Sequence, residues 1–165
     1  GQYTYETEKT DSVRSISVSM QDNGHFHWFG RKNFANRADI HLSTIPLWNI
    51  DADLGAAAVQ FDLSKYRVAN LTMNVGAASV KVKFGDKADS THLDFDGGAS
   101  SIELSVPTNA GCRITVDEDA LNGTDLVGFE KIDENTYQTS NYASATKKIT
   151  MDFDIGVSKL KVNRY

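Results

Sequence analysis

The sequence predicts an all-β protein: a β-solenoid, akin to a single-stranded β-helix, built of repeats about 21 residues long behind an N-terminal β-hairpin. Three observations carry this. Apolar and polar residues alternate over most of the chain, as in Leu71-Thr72-Met73-Asn74-Val75 and Val80-Lys81-Val82-Lys83-Phe84, the period of a half-buried strand. The same unit recurs, two alternating runs flanking a glycine and a few small residues. No copy carries a 3.6-residue apolar stripe of helical length.

The clearest copy runs from Leu71 to Phe84, with Gly76-Ala77-Ala78-Ser79 between its two halves. The others run from Ile50 to Leu63, from Leu93 to Val106, and from Met151 to Val162; a degenerate one, Ile114–Leu121, has Asp119 where glycine is expected. Gly55, Gly76 and Gly98 are 21 and 22 residues apart, Asp119 follows 21 residues later, and Gly156 lies 37 beyond it. That last gap is one period plus an excursion around Gly128–Tyr137. At ~3.3 Å per residue, one unit makes a perimeter of roughly 70 Å, which suits one coil of a solenoid. Matching positions then stack in adjacent coils. The inward columns are Ala52/Met73/Phe95/Val116/Phe153 and Val59/Val80/Ile102/Leu160. The alternative is a β-sandwich, which gives the same alternation but not the glycine spacing.

Ahead of the repeats, residues 1–12 are polar and read as a linker or a loosely held first strand. Val13–Met20 alternates as a strand, Asn23-Gly24 signals a tight turn, and His25–Phe29 reads as the returning strand. We therefore divide one structural domain into a linker and capping hairpin, 1–37, and a repeat region, 38–165. Both prolines, Pro46 and Pro107, sit at the ends of alternating runs, where no ladder hydrogen bond is lost.

The totals set bounds. With 165 residues, 40% apolar and 24% charged, the chain is long enough for one packed domain. A net charge of −5 argues against nucleic acid, whose binders carry a basic excess. The single cysteine, Cys112, excludes an internal disulfide. No 18-residue apolar run is present, so a membrane anchor or export signal is expected outside this sequence, which opens on Gly1.

The runs Asp51-Ala52-Asp53-Leu54-Gly55-Ala56-Ala57, Asn74–Gly85, Gly97–Pro107 and Gly156–Val162, with the ending around Gly128-Phe129 and Asn141-Tyr142, resemble the toastrack family. These are domains of LiaF-like cell-wall-active-antibiotic response proteins and of related bacterial adhesin-like proteins. The resemblance covers residues 38–165; the hairpin in 1–37 has no place in the pattern. It implies a right-handed solenoid in a non-enzymatic envelope protein. It also implies membrane attachment through segments outside this sequence, and a role in envelope-stress sensing through an envelope signalling partner. The alternative is a surface adhesin whose ligand is a glycan or a host protein. Self-association is left open, because solenoid ends expose strand edges.

Candidate sites were weighed against structural roles. Phe26, Trp28, Phe29 and Phe34 alternate with Arg31, Lys32 and Arg37. Aromatics beside cations suit a partner or membrane surface; the competing role is to close the end of the solenoid. The Asp51/Asp53, Asp94/Asp96 and Asp152/Asp154 pairs invite a calcium site or glycosidase carboxylates. Their threefold repetition, without a downstream bidentate Glu, favours outward-facing residues that bond the glycine corner. His25 and His27 supply half a metal site at most, and His41 and His92 are the remaining histidines. Cys112 reads as a buried small hydrophobe. No catalytic, cofactor-binding or metal residue is assigned.

Overall fold

The computed structural model describes residues 2–10, 13–21, 40–116, 121–156 and 158–165, and every regular element among them is a strand. The first two, β1 (Gln2–Thr10) and β2 (Val13–Gln21), pair antiparallel. Three long strands follow, β3 (Leu47–Asp62), β4 (Arg67–Lys83) and β5 (Ser90–Val106), stacked in parallel and in sequence order. The parallel ladder and its register, Met73 beside Ala52 and Phe95 beside Met73, are those of a solenoid-like fold rather than of an antiparallel sandwich.

Each long strand bends at its glycine. In β4 the buried residues are Leu71, Met73 and Val75, then Val80 and Val82, with Phe84 just beyond. The step from Val75 to Val80 is odd, so strict alternation breaks, and Gly76 and Ala77 both face outward. That slip lets one continuous strand turn a corner while both arms keep their apolar faces inward. At the later corners the neighbouring coil leaves no room for a side chain. A Cβ on Gly98 would lie 2.8 Å from the Gly76 carbonyl oxygen, and one on Gly156 would lie 2.8 Å from that of Gly98.

The last coils do not stack in chain order. After β5 come β6 (Gly111–Val116), β7 (Leu121–Leu126), a short hairpin of β8 (Glu130–Lys131) and β9 (Thr136–Gln138), then β10 (Lys148–Ile155) and β11 (Ser158–Arg164). Stacking in chain order would put β6 on β5. Instead β10 inserts between them, parallel to both, and β11 inserts between β5 and β7. The final copy has Gly156; the fourth has Asp119. The predicted columns keep their members, but in space they run Ala52–Met73–Phe95–Phe153–Val116.

The core is a single cluster. Leu71, Met73, Leu93, Phe95, Leu104, Ile114, Met151 and Leu160 are fully buried, and the Phe95 and Phe153 rings meet at 5.7 Å between centroids. The excursion is fastened to β6. The buried Thr139 hydroxyl accepts the Cys112 backbone N–H at 2.9 Å and donates to Asn141 Oδ1 at 2.7 Å. At the C-terminus, the Tyr165 hydroxyl donates to the Phe84 carbonyl at 2.6 Å.

At the N-terminus, residues 2–10 take the strand alternative of the sequence reading, and β2 joins the main sheet, with Val13–Ser19 parallel to Leu47–Asp53. Both edges of β2 are therefore occupied over residues 13–19. The predicted returning strand, His25–Phe29, lies outside the described residues.

Candidate functional site

The predicted aromatic and basic surface, Phe26, Trp28, Phe29, Arg31, Lys32, Phe34 and Arg37, lies outside the described residues, as do His25, His27 and Asp117. The surface that the structure does build is the outer face of the arm before the glycine corner. Because side chains alternate, every second residue of β3, β4, β5 and β10 projects from it, and the parallel register aligns these residues into rows across the sheet.

The first row runs Asn49–Asn70–His92–Thr150–Arg113, the second Asp51–Thr72–Asp94–Asp152–Thr115, and the third Asp53–Asn74–Asp96–Asp154. The first row is bonded across strands. Asn70 Nδ2 donates to Asn49 Oδ1 at 2.7 Å, His92 Nδ1 lies 3.0 Å from Thr150 Oγ1, and Arg113 donates twice to Gln138 Oε1. The carboxylate rows are not. Asp152 has one loose contact, to His92 Nε2 at 3.8 Å. Asp51, Asp53, Asp94, Asp96 and Asp154 are exposed and make no hydrogen bond or ion pair with another described residue. The expected bonding of these aspartates to the glycine corner is therefore not how the corner is held. Carboxylates do bond turns elsewhere: Asp62 Oδ1 accepts both the N–H and the hydroxyl of Ser64, which holds the Asp62 carboxyl below its ordinary value.

The other arm carries a contrasting row, Gln60–Lys81–Glu103–Lys161–Asp125. Its charges alternate and pair, Lys81 with Glu103 at 2.8 Å and Lys161 with Asp125 at 3.9 Å. The hydrogen bond from Lys81 pulls the Glu103 pKa down, helped by the charges of Lys81 and Lys161. One arm thus neutralises itself, while the other leaves carboxylates free. Asp94 stands beside Asp152, and Asp96 beside Asp154. At ~5 Å in water each such pair repels by about 0.8 kcal/mol, tolerable because the groups stay hydrated.

Among the described residues no group of three or more His, Cys, Asp or Glu side chains is arranged to hold a metal ion. Cys112 is buried, as its sequence position predicts, and burial pushes its thiol pKa up to about 11. It is a core residue without thiolate character.

Residues 2–105 match the family described as the N-terminal domain of toast_rack, DUF2154. The chain belongs to the toast-rack family. The match begins ahead of the repeats and takes in the β1–β2 pair. No curated protein matches the sequence. Among solved structures, the toast-rack chain is similar to a putative cell adhesion protein from Clostridium sporogenes. The TM-score is 0.82 at 20% identity, over 99% of this chain and 77% of that one. The likeness establishes the all-β fold over nearly the whole length, including the C-terminal coils beyond the family match.

Proposed function

We propose that this toast-rack chain is a non-enzymatic interaction module of the bacterial cell envelope, and that it recognises a protein partner through the carboxylate rows of its outer face. The observation that carries this reading is the set of exposed, unpaired carboxylates held in register on a rigid sheet: Asp51, Asp53, Asp94, Asp96 and Asp154. The ladder fixes the backbone that carries them, so binding need not order the main chain. Like charges held at one face favour a cationic partner and speed its approach. The same charges disfavour anionic lipid headgroups, so membrane attachment is assigned to segments outside this sequence. The family resemblance supports the finer role, an envelope-stress sensor or regulator of LiaF-like type that works by protein contact. The Clostridium sporogenes neighbour, described as a putative cell adhesion protein, favours a second reading, a surface adhesin that binds a glycan or a host protein.

The test replaces Asp94, Asp96, Asp152 and Asp154 by Asn and compares binding of native and variant protein to solubilised envelope proteins and to protease-treated cell-wall sacculi. Under the leading reading the native chain retains an envelope protein at low salt and releases it as salt rises, and the variant retains none. Equal retention by both proteins refutes the assignment of this face. Salt-resistant binding to protease-treated sacculi selects the adhesin reading.

A further inference from the structure

The chain between β7 and β10 is the excursion that the repeat does not explain, and it folds back on the start of β6. The buried Thr139 hydroxyl, bonded to the Cys112 N–H, fastens it there. Gly111 lets the following turn press close: a Cβ on it would lie 2.8 Å from Tyr142 Cα and 3.0 Å from Ala145 Cβ. The result is a cluster drawn from β6, β9, β10 and that turn. The Arg113 guanidinium of β6 lies 4.4 Å from the centre of the Tyr142 ring, and the Lys148 ammonium of β10 lies 4.7 Å from it. Gln138 of β9 holds the guanidinium, its Oε1 accepting from Nε at 3.2 Å and from Nη2 at 3.0 Å. The Tyr142 carbonyl accepts from Lys148 Nζ. Both cations are thus positioned by neutral oxygens. Neither makes an ion pair with another described residue, whereas the adjacent Lys147 is paired with Asp89 at 2.6 Å. The ring face attracts each cation but carries no charge to cancel them, and two like charges on one ring repel.

We propose that this cluster is a binding site for a phosphate group, with Arg113 and Lys148 as its charged ligands. The charges match. A phosphate monoester carries about −1.5 to −2 at pH 7, close to one charge for each cation, where a single carboxylate leaves one cation over. The donors match as well. Gln138 takes Nε and one Nη2 proton of Arg113, which leaves the end of the guanidinium, Nη1 and Nη2, for two oxygens side by side. Lys148 has three protons and spends one on the Tyr142 carbonyl. No ion pair has to break before the ligand enters, and the cations are already oriented, which lowers the cost of binding. The cluster stands at the Arg113 end of the first row, outside the two carboxylate rows, so it is independent of the partner surface proposed above.

Calorimetric titration of the native chain with inorganic phosphate, against sodium chloride at matched ionic strength, tests the site. Saturable binding with a Kd of about 1 mM is expected. Arg113→Gln and Lys148→Gln should each weaken it about tenfold or more. Lys81→Gln removes a cation of the other arm that is paired with Glu103 and should leave it unchanged. Circular dichroism checks that each variant is folded. Absence of saturable binding up to ~20 mM phosphate, equal binding by the native chain and Arg113→Gln, or an equal loss in Lys81→Gln overturns the proposal. Sedimentation with vesicles containing phosphatidic acid separates the sources of the phosphate. Co-sedimentation abolished by both site variants supports the site with a lipid headgroup as ligand. Phosphate binding without co-sedimentation supports the site with a soluble phosphate ester.

Discussion

Replacing the corner glycines one at a time by alanine tests the account of the corner directly, because the structure ranks the positions. A Cβ on Gly55 meets nothing within 4 Å; on Gly76 it lies 3.2 Å from the Gly55 carbonyl oxygen; on Gly98 and Gly156 it lies 2.8 Å from the oxygen beneath. At Gly55, alanine adds no contact and reduces the freedom of the unfolded chain, so a gain of about 0.4–1 kcal/mol is expected. At Gly98 and Gly156 the obstacle is backbone, which cannot swing aside, and overpacking of this kind costs about 1–3 kcal/mol. Set against the entropic gain, Gly98→Ala should lose about 1–2 kcal/mol net. At this chain length that lowers Tm by about 2–8 °C. Gly76→Ala should fall between the extremes. Thermal unfolding followed by circular dichroism measures all four. Equal Tm values for Gly55→Ala and Gly98→Ala, or the reverse order, would refute the claim that coil-to-coil contact dictates the glycines.

Further outcomes follow from the core and from the charges. Phe95→Ala empties the centre of the inward column and removes the Phe153 contact; a loss of about 3–5 kcal/mol is expected in urea unfolding. Thr139→Val keeps the side-chain volume but leaves the buried Cys112 N–H without its acceptor, costing about 1–3 kcal/mol by the same assay. Replacing Asp94, Asp96, Asp152 and Asp154 by Asn relieves two repelling pairs. The variant should therefore be more stable than the native chain at low salt, with the difference fading as salt is added. The Cys112 thiol, raised from 9.0 to about 11 in the folded state, stabilises the fold fully below pH 9. That contribution declines as pH rises from 9 toward 11, because the unfolded chain releases its proton first. A thiol reagent at pH 8 should accordingly react at the rate of unfolding; prompt labelling of the native protein would contradict the burial.

The repeat was legible because it is written in two independent signals, alternation and glycine spacing, and both follow from local geometry. The buried columns came with it: Met73, Phe95 and Leu160 fall where the register placed them. Spatial order was less accessible. A period shows which residues are equivalent, not which copies touch, once a long excursion frees the chain to return elsewhere. At the N-terminus, residues 2–10 pair with β2; their polar composition left both a linker and a strand open, since an edge strand needs little apolar content. The acidic rows were visible as pairs in the sequence, whereas their freedom from partners required the register of five strands.

Those rows also bear on how copies of the protein behave toward one another. A broad, flat β-sheet surface is a hazard in a crowded layer, because identical surfaces can stack face to face. Here any such encounter would set Asp94, Asp96, Asp152 and Asp154 of one copy against the same four of another, at separations shorter than the Debye length of about 8 Å. Such an encounter is therefore opposed by charge, and a surface of opposite sign is not.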